Sequence, residues 1–231
     1  HIAVVTSTDA DHLDIYGTEE AYLQSFAHFT SLIQAGGALI AKKGIKMQPR
    51  LVEGVRLYSY SKDDGDFHAA NIRIGDGRIV FDFVAPDGRV EDVELGVPVA
   101  INIENAIAAM SVAWLCGVSA NDMRSAIGSY MGAKRRFEFW LRTPQCVMID
   151  DYAHHPDELK ASISSVKALY PERRLSVIFQ PHLYTRTRDF APQFAEALSL
   201  ADEVILLNIY PARELPIEGV TSQIIFDEIL S

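Results

Sequence analysis

Two short stretches hold most of the side chains in this sequence that could do chemistry. The denser is Phe179-Gln180-Pro181-His182-Leu183-Tyr184-Thr185-Arg186-Thr187-Arg188-Asp189-Phe190. It follows an apolar run, residues 175–179, that reads as a buried parallel strand. A helical pattern over 189–200 comes after it. One strand-to-helix turn therefore gathers a His, a Tyr, two hydroxyls and two Arg. In open α/β sheets the carboxyl ends of strands are where ligands bind. Arg and His there suit an anionic group, a carboxylate or a phosphate. The other reading is that the Arg side chains pair with nearby acids.

The second stretch is Val147-Met148-Ile149-Asp150-Asp151-Tyr152-Ala153-His154-His155-Pro156. It is again strand, loop, then helix. Pro156 fits a first helical turn, where its missing N–H would be unpaired anyway. Asp157 and Glu158 suit the positive end of the helix dipole. Asp150 can equally be a turn or capping residue. Three lesser clusters stand elsewhere: Asp9-Ala10-Asp11-His12-Leu13-Asp14, Asn102-Ile103-Glu104-Asn105-Ala106 and Arg135-Arg136-Phe137-Glu138-Phe139.

The elements that must position these groups change character along the chain. Residues 2–6 read as a buried strand. A helix over 18–32 starts at Thr18 but lacks the acid three residues on that completes a capping box. Gly36-Gly37 ends it, and 38–41 is another strand. Over 55–99 short alternating runs appear at 56–60, 69–74, 78–84 and 90–95. Asp-Gly pairs at 64–65, 76–77 and 87–88 punctuate them, a hairpin signature that predicts a small antiparallel sheet. Helices over 103–116 and 120–129 follow. Gly132-Ala133-Lys134 reads as a boundary between domains at 1–133 and 134–231. Beyond it strands at 146–150, 175–179 and 203–208 alternate with helices at 157–170 and 189–200. Such alternation predicts βαβ units and a mostly parallel, Rossmann-like sheet, so the class is α/β. A last helix begins at 224.

Composition narrows the function classes. The 231 residues are 48% hydrophobic, ample for real cores, and the net charge is −10 from 21 basic and 31 acidic residues. That argues against a general nucleic-acid or anionic-membrane binder. Cys116 and Cys146 both sit in apolar runs, which predicts buried reduced thiols. No apolar stretch approaches the ~18 residues of a membrane span, and the expectation is a cytoplasmic enzyme without membrane insertion.

Taken together, the clusters resemble the Mur ligases. D-Y-A-H-x-P at 151–156 matches the family broadly. F-Q-P-H-x-Y-T-R-T-R-D at 179–189 is narrower and resembles its alanine-adding branch. Residues 11–14 resemble the family's D-H-x-D segment, 102–106 the end of its H-N-x-x-N-A segment, and 135–138 its R-R-F-[DE] segment. The likeness runs from about residue 4 to 216. It implies an ATP-dependent amide ligase of peptidoglycan precursor synthesis, whose substrates are UDP-N-acetylmuramate, L-alanine and ATP. The muramyl carboxylate would attack the γ-phosphate to give an acyl phosphate, and the alanine amine would displace phosphate. The resemblance places Mg2+ on His12, adenine on Asn102 and Asn105, ATP phosphate on Arg135 or Arg136, and the ribose hydroxyls on Asp151. It places the amino acid on Tyr152, His154, His182 and Arg186, with the last three as the catalytic set. Ile101 and Leu183 depart from the family's usual His and Arg. No G-x-x-x-x-G-K-[ST] loop, which cradles phosphates, occurs in the sequence. The expectation is a fragment holding the later half of the central ATPase domain plus a truncated acceptor domain, inactive alone. Alternatives are a sibling ligase that recycles a tripeptide, a metal-dependent hydrolase using Asp9, Asp11, His12, Asp150, His154 and His155, and a non-catalytic binding module.

Overall fold

The structure, a computed structural model, describes residues 1–9 and 13–230, with residues 13 and 14 described by their backbone only. The chain divides into two compact units. One comprises His1–Arg73, Ile79–Gly96 and Ala100–Tyr130; the other comprises Ile74–Arg78, Val97–Val99 and Met131–Ser231.

The first unit holds two sheets. Strands β1 (Ile2–Val5), β2 (Ala38–Lys42) and β3 (Arg56–Tyr60) form a parallel sheet in that order. Helix α1 (Leu13–Tyr16) and helix α2 (Glu19–Ser31) come between β1 and β2. The Thr18 side chain caps α2 by accepting the Ala21 N–H at 3.1 Å, so half of a capping box suffices. Val5, Ile33, Leu39 and Met47 form the core beneath this sheet. At Gly37 a Cβ would lie 2.3 Å from the His1 carbonyl, so β2 can begin beside β1 only with glycine there.

The second sheet is antiparallel, in the order β4 (His68–Gly75), β5 (Arg78–Ala85) and β6 (Gly88–Glu94). Asp76 and Gly77 both have positive φ, 49° and 70°, as the two-residue turn of a tight hairpin requires. One expectation is corrected here. The alternating run 56–60 does not open this sheet: as β3 it pairs in parallel with β2, register Ala38 to Arg56. Alternation marks a strand with two unlike faces and says nothing about its partner. Helices α3 (Ile101–Leu115) and α4 (Ala120–Ser129) complete the unit.

In the second unit, β7 (Glu138–Arg142) pairs antiparallel with β8 (Val147–Asp150), while β9 (Ser176–Phe179) pairs in parallel with β10 (Glu203–Leu206). Helices α5 (Pro156–Leu169), α6 (Tyr184–Leu198) and α7 (Gln223–Leu230) pack around Phe179, with Phe194, Leu198 and Ile225 at 0% exposure. The α/β class stands, but the sheet differs from the expected run of parallel neighbours. A tight turn closes β7 onto β8, its Thr143 N–H and hydroxyl both donating to the Cys146 carbonyl. β8 pairs with β7, and no ladder joins it to β9 among the described residues. Both cysteines are exposed, not buried. Cys116 is the residue after α3 and Cys146 sits in the turn, so neither apolar run carries its thiol inward.

Helix α6 starts five residues before the predicted position, which puts Tyr184 to Thr187 on its first turn. It is kinked at Phe190 (φ −122°, ψ 18°), two residues before Pro192. Proline removes an N–H and crowds the preceding turn. The kink explains why the sequence periodicity looked as if it began only at 189.

Candidate active site in the second unit

A cleft of about 540 Å³ opens at the carboxyl ends of β8, β9 and β10, lined among others by Arg135, Asp150, Asp151, Tyr152, His154, Ile178, Gln180, His182, Leu207 and Tyr210. Two loops build it. The first runs from β8 into α5. His155 is the N-cap and Pro156 opens the helix; Glu158 completes a capping box. The Glu158 carboxylate accepts the N–H groups of His154 at 3.0 Å and His155 at 3.2 Å. Burial pushes this carboxyl up, but those two N–H donors with the His154 and Arg136 charges hold it below the usual glutamate range. The cap therefore stays ionised and fixes the backbone from which His154 projects.

His154 Nδ1 lies 2.9 Å from the Tyr152 carbonyl. A carbonyl oxygen can only accept, so Nδ1 carries the proton and a neutral ring keeps the Nε2 lone pair. The Tyr152 ring is 5.0 Å from that of His154, centroid to centroid. Arg135 and Arg136 sit over the Tyr152 ring at 4.8 and 5.7 Å. Arg135 is also joined to the loop through its own backbone: its carbonyl accepts the Tyr152 N–H at 2.7 Å, and its Nε lies 3.7 Å from Asp150. Asp151 accepts the Ser162 hydroxyl at 2.7 Å through one oxygen. An ionised carboxylate has about four acceptor sites, so further hydroxyls can be taken.

The second loop runs from β9 into α6. The His182 ring stands 6.1 Å from that of His154, so the two dense stretches do meet. One turn along α6, Arg186 Nη1 lies 3.4 Å from His182 Nδ1. A guanidinium only donates, so here Nδ1 accepts and the proton sits on Nε2. Burial lowers the His182 titration, Arg186 and His154 lower it further, and Glu214 opposes them; the net shift is downward and keeps the ring neutral near pH 7. With both rings neutral, the two imidazoles hold opposite tautomers. His154 offers a lone pair at Nε2, and His182 offers an N–H at Nε2. Arg188, by contrast, pairs with its neighbour Asp189 at 2.7 Å on the exposed side. The acid-pairing reading holds for Arg188, while Arg186 turns to His182.

Other expected residues fall elsewhere. Asn102 and Asn105 lie on α3 in the first unit, one turn apart, with the Asn105 amide donating to Asn102 at 3.1 Å. Ala100 is the N-cap of α3 and the helix begins at Ile101, so Asn102 is its second residue. His12 and Asp11 lie outside the described residues. Among the described residues no three His, Cys, Asp or Glu side chains gather as a metal site. His155 points its ring at Phe190, 5.1 Å away, and not at His154.

Two residues beside the acceptor loop, Tyr210 in the cleft lining and Glu214 next to it, went unread in the sequence. Tyr210 stacks on His182 at 5.5 Å and 23°, and its backbone bridges to the same residue. Glu214 accepts both the N–H and the hydroxyl of Thr185. Their signal was present: Tyr210-Pro211-Ala212-Arg213-Glu214 lies just beyond β10, the strand that pairs in parallel with β9.

Comparison with known proteins agrees with this architecture. Residues 1–113 match the Mur ligase middle domain, and residues 135–230 match the Mur ligase glutamate ligase domain. The chain belongs to the Mur ligases. Within that family it is 61% identical over 230 residues to a UDP-N-acetylmuramate–L-alanine ligase of Parabacteroides distasonis, covering 99% of this chain and 50% of that one. The corresponding ligase of Phocaeicola vulgatus is 57% identical over 229 residues, with the same coverage. A crystal structure of UDP-N-acetylmuramate–alanine ligase from Thermotoga maritima superposes with a TM-score of 0.78 at 23% identity, over 99% of this chain and 48% of that one, and so shows the shared fold. This Mur ligase chain spans about half the length of the curated relatives it matches. No helix among its described residues is long and apolar enough to cross a membrane.

Proposed function

We propose that this chain supplies the later part of the ATP-binding domain (1–133) and the amino-acid acceptor domain (134–231) of a cytoplasmic ligase joining L-alanine to UDP-N-acetylmuramate at the expense of ATP. The observation that carries the reading is that His154 and His182 line one cleft with Arg186 3.4 Å from His182, the two rings when neutral holding opposite tautomers. An amino acid brings a carboxylate and an ammonium. The guanidinium of Arg186 has five N–H donors and spends one on His182, so its fork can take the carboxylate. The Nε2–H of His182 adds a neutral donor to the same anion. The ammonium must lose a proton before its nitrogen can attack an acyl carbon, and the Nε2 lone pair of His154 is the acceptor for that proton. As the C–N bond forms, the C–O bond to phosphate breaks, phosphate leaves with the bonding pair, and it carries off the second surplus proton of the nitrogen, leaving a neutral amide. His154 then returns its proton to solvent.

For the nucleotide, Asp151 is the acceptor of the ribose hydroxyls, Asn102 and Asn105 the partners of adenine, and Arg135 or Arg136 the contact to phosphate. Magnesium, which would neutralise phosphate charge, is assigned to His12 alone, outside the described residues. No residue of this sequence forms a phosphate-cradling G-x-x-x-x-G-K-[ST] loop. The test follows from that. These 231 residues, incubated with ATP, magnesium, UDP-N-acetylmuramate and L-alanine, should release no alanine-dependent phosphate. The protein extended to its relatives' length should release it, and D-alanine should not substitute. Failure of the extended protein to need alanine overturns the proposal.

A further inference from the structure

We propose that Glu214 is a positioning residue of the acceptor site, which caps α6 from a distant loop and so fixes Arg186 and His182 in one arrangement. This rests on the function proposed above for those two residues. The need for it is local. The N-cap of α6 is Leu183, at φ +73°, with no side-chain cap hydrogen bond. Leucine has no oxygen to offer, and a non-glycine residue at that φ is strained. The first N–H groups of a helix nevertheless need acceptors.

Glu214 supplies them from 29 residues downstream. Its Oε2 accepts the Thr185 N–H at 3.0 Å, and its Oε1 accepts the Thr185 hydroxyl at 2.5 Å. The Tyr184 N–H is a third donor to it. The Thr185 hydroxyl and N–H, ahead of the smaller contributions of the Tyr184 N–H and the Arg186 charge, hold its carboxyl below the usual glutamate range, so it is ionised at neutral pH. A carboxylate at this end also complements the helix dipole.

The loop that carries Glu214 is itself fastened to the acceptor loop. The Leu183 N–H donates to the Tyr210 carbonyl at 3.0 Å, and the Tyr210 N–H donates to the Pro181 carbonyl at 2.8 Å. The Glu214 N–H donates to the Pro211 carbonyl at 2.9 Å, which closes the turn between Tyr210 and Glu214. Backbone bonds at one end and the carboxylate at the other therefore clamp residues 181–185. The clamped segment ends one residue before Arg186 and contains His182, whose outer face is covered by the Tyr210 ring. Around the His182 ring stand Arg186 on its own loop and helix, His154 from the β8 loop, and Glu214 and Tyr210 from the β10 loop. Glu214 is the anionic member of that set, and it holds the guanidinium and imidazole in register.

The experiment compares Glu214→Gln and Glu214→Ala with Glu218→Gln, an exposed control in the same loop. In the 231-residue chain, amide exchange at Tyr184 and Thr185 should quicken at least tenfold in Glu214→Ala, with α5 unchanged. The His182 imidazole, followed by NMR, should titrate lower still in both Glu214 variants, because the one group that raised it has gone. In the protein of the relatives' length, the KM for L-alanine should rise about tenfold or more with the KM for ATP unmoved. Glu214→Gln, which keeps one acceptor oxygen, should recover part of that loss. Unchanged exchange at Tyr184 and Thr185, or an unmoved His182 titration, overturns the positioning role. If exchange and titration shift but alanine kinetics do not, the clamp exists and the amino-acid reading of Arg186 and His182 is the part that falls.

Discussion

Arg186 spends one guanidinium N–H on the Nδ1 lone pair of His182, and that single contact fixes where its remaining donors point. A carboxylate held by it makes charged hydrogen bonds, each worth about 1.5–3 kcal/mol. On the function proposed above, Arg186→Ala in the protein of the relatives' length should therefore raise the KM for L-alanine roughly ten- to a hundredfold while leaving that for ATP near its original value, as steady-state phosphate release would show. An unchanged alanine KM removes Arg186 from the site. Asp151 makes the opposite case. It accepts the Ser162 hydroxyl, and the diol of a ribose suits its further lone pairs. Asp151→Ala should weaken ATP more than alanine in calorimetry. Equal ATP affinity for mutant and parent would end the ribose assignment.

The elements show how a buried charge can hold a shape. Asp82 on β5 is 5% exposed and sits at the register shift between Phe81 and Phe83. It accepts the Asn71 amide at 2.7 Å and the Asp92 N–H at 3.0 Å, with Arg89 4.0 Å away. Asn71 and Asp92 both have positive φ, 50° and 55°, so the carboxylate pins two strained residues on neighbouring strands. Burial pushes Asp82 up, but the Asp92 N–H, the Asn71 amide and the charges of Arg89 and Arg73 hold it below its ordinary value of 3.8. A carboxyl depressed on folding stabilises fully above its unfolded value and loses that contribution as pH falls through the folded value. Urea midpoints of the parent and Asp82→Asn should thus differ most above about pH 4 and converge in stronger acid. At neutral pH, Asp82→Ala should cost about 1–3 kcal/mol, because it strands two donors. Equal midpoints across the range would show that the bulge does not depend on the charge.

At the scale of the whole molecule, each unit has buried apolar clusters of its own among the described residues. Phe194, at 0% exposure, lies among Leu159, Ile163, Phe179 and Ile225 in the second, while Val5, Leu39 and Met47 serve the first. Phe194→Ala should cost about 3–5 kcal/mol. Hydrogen exchange should then show protection lost in β9, β10 and α6, with β1 to β3 retaining theirs. Equal loss in both would mean that the units unfold together.

Sequence by itself determined the local features, because their physics is settled within about four residues. Thr18 caps α2, Pro156 and Glu158 open α5, and Asp76-Gly77 turns β4 into β5; each needs only its immediate neighbours. The two dense loops were legible for the same reason, since polar groups crowd the ends of apolar runs. Tertiary structure decided what depends on distant partners. Strand β3 joins β2 in parallel because a strand's alternation names its faces and not its neighbour. The pairing of β8 with β7 follows from the tight turn over Thr143 to Cys146 that folds one onto the other. The tautomers of His154 and His182 follow from a carbonyl and a guanidinium that the fold sets against them, and a sequence does not record where a proton sits. Tyr210 and Glu214 joined the site for the same reason. They lie 28 and 29 residues from their partners, a distance that no local pattern spans and that β9 and β10 close by pairing.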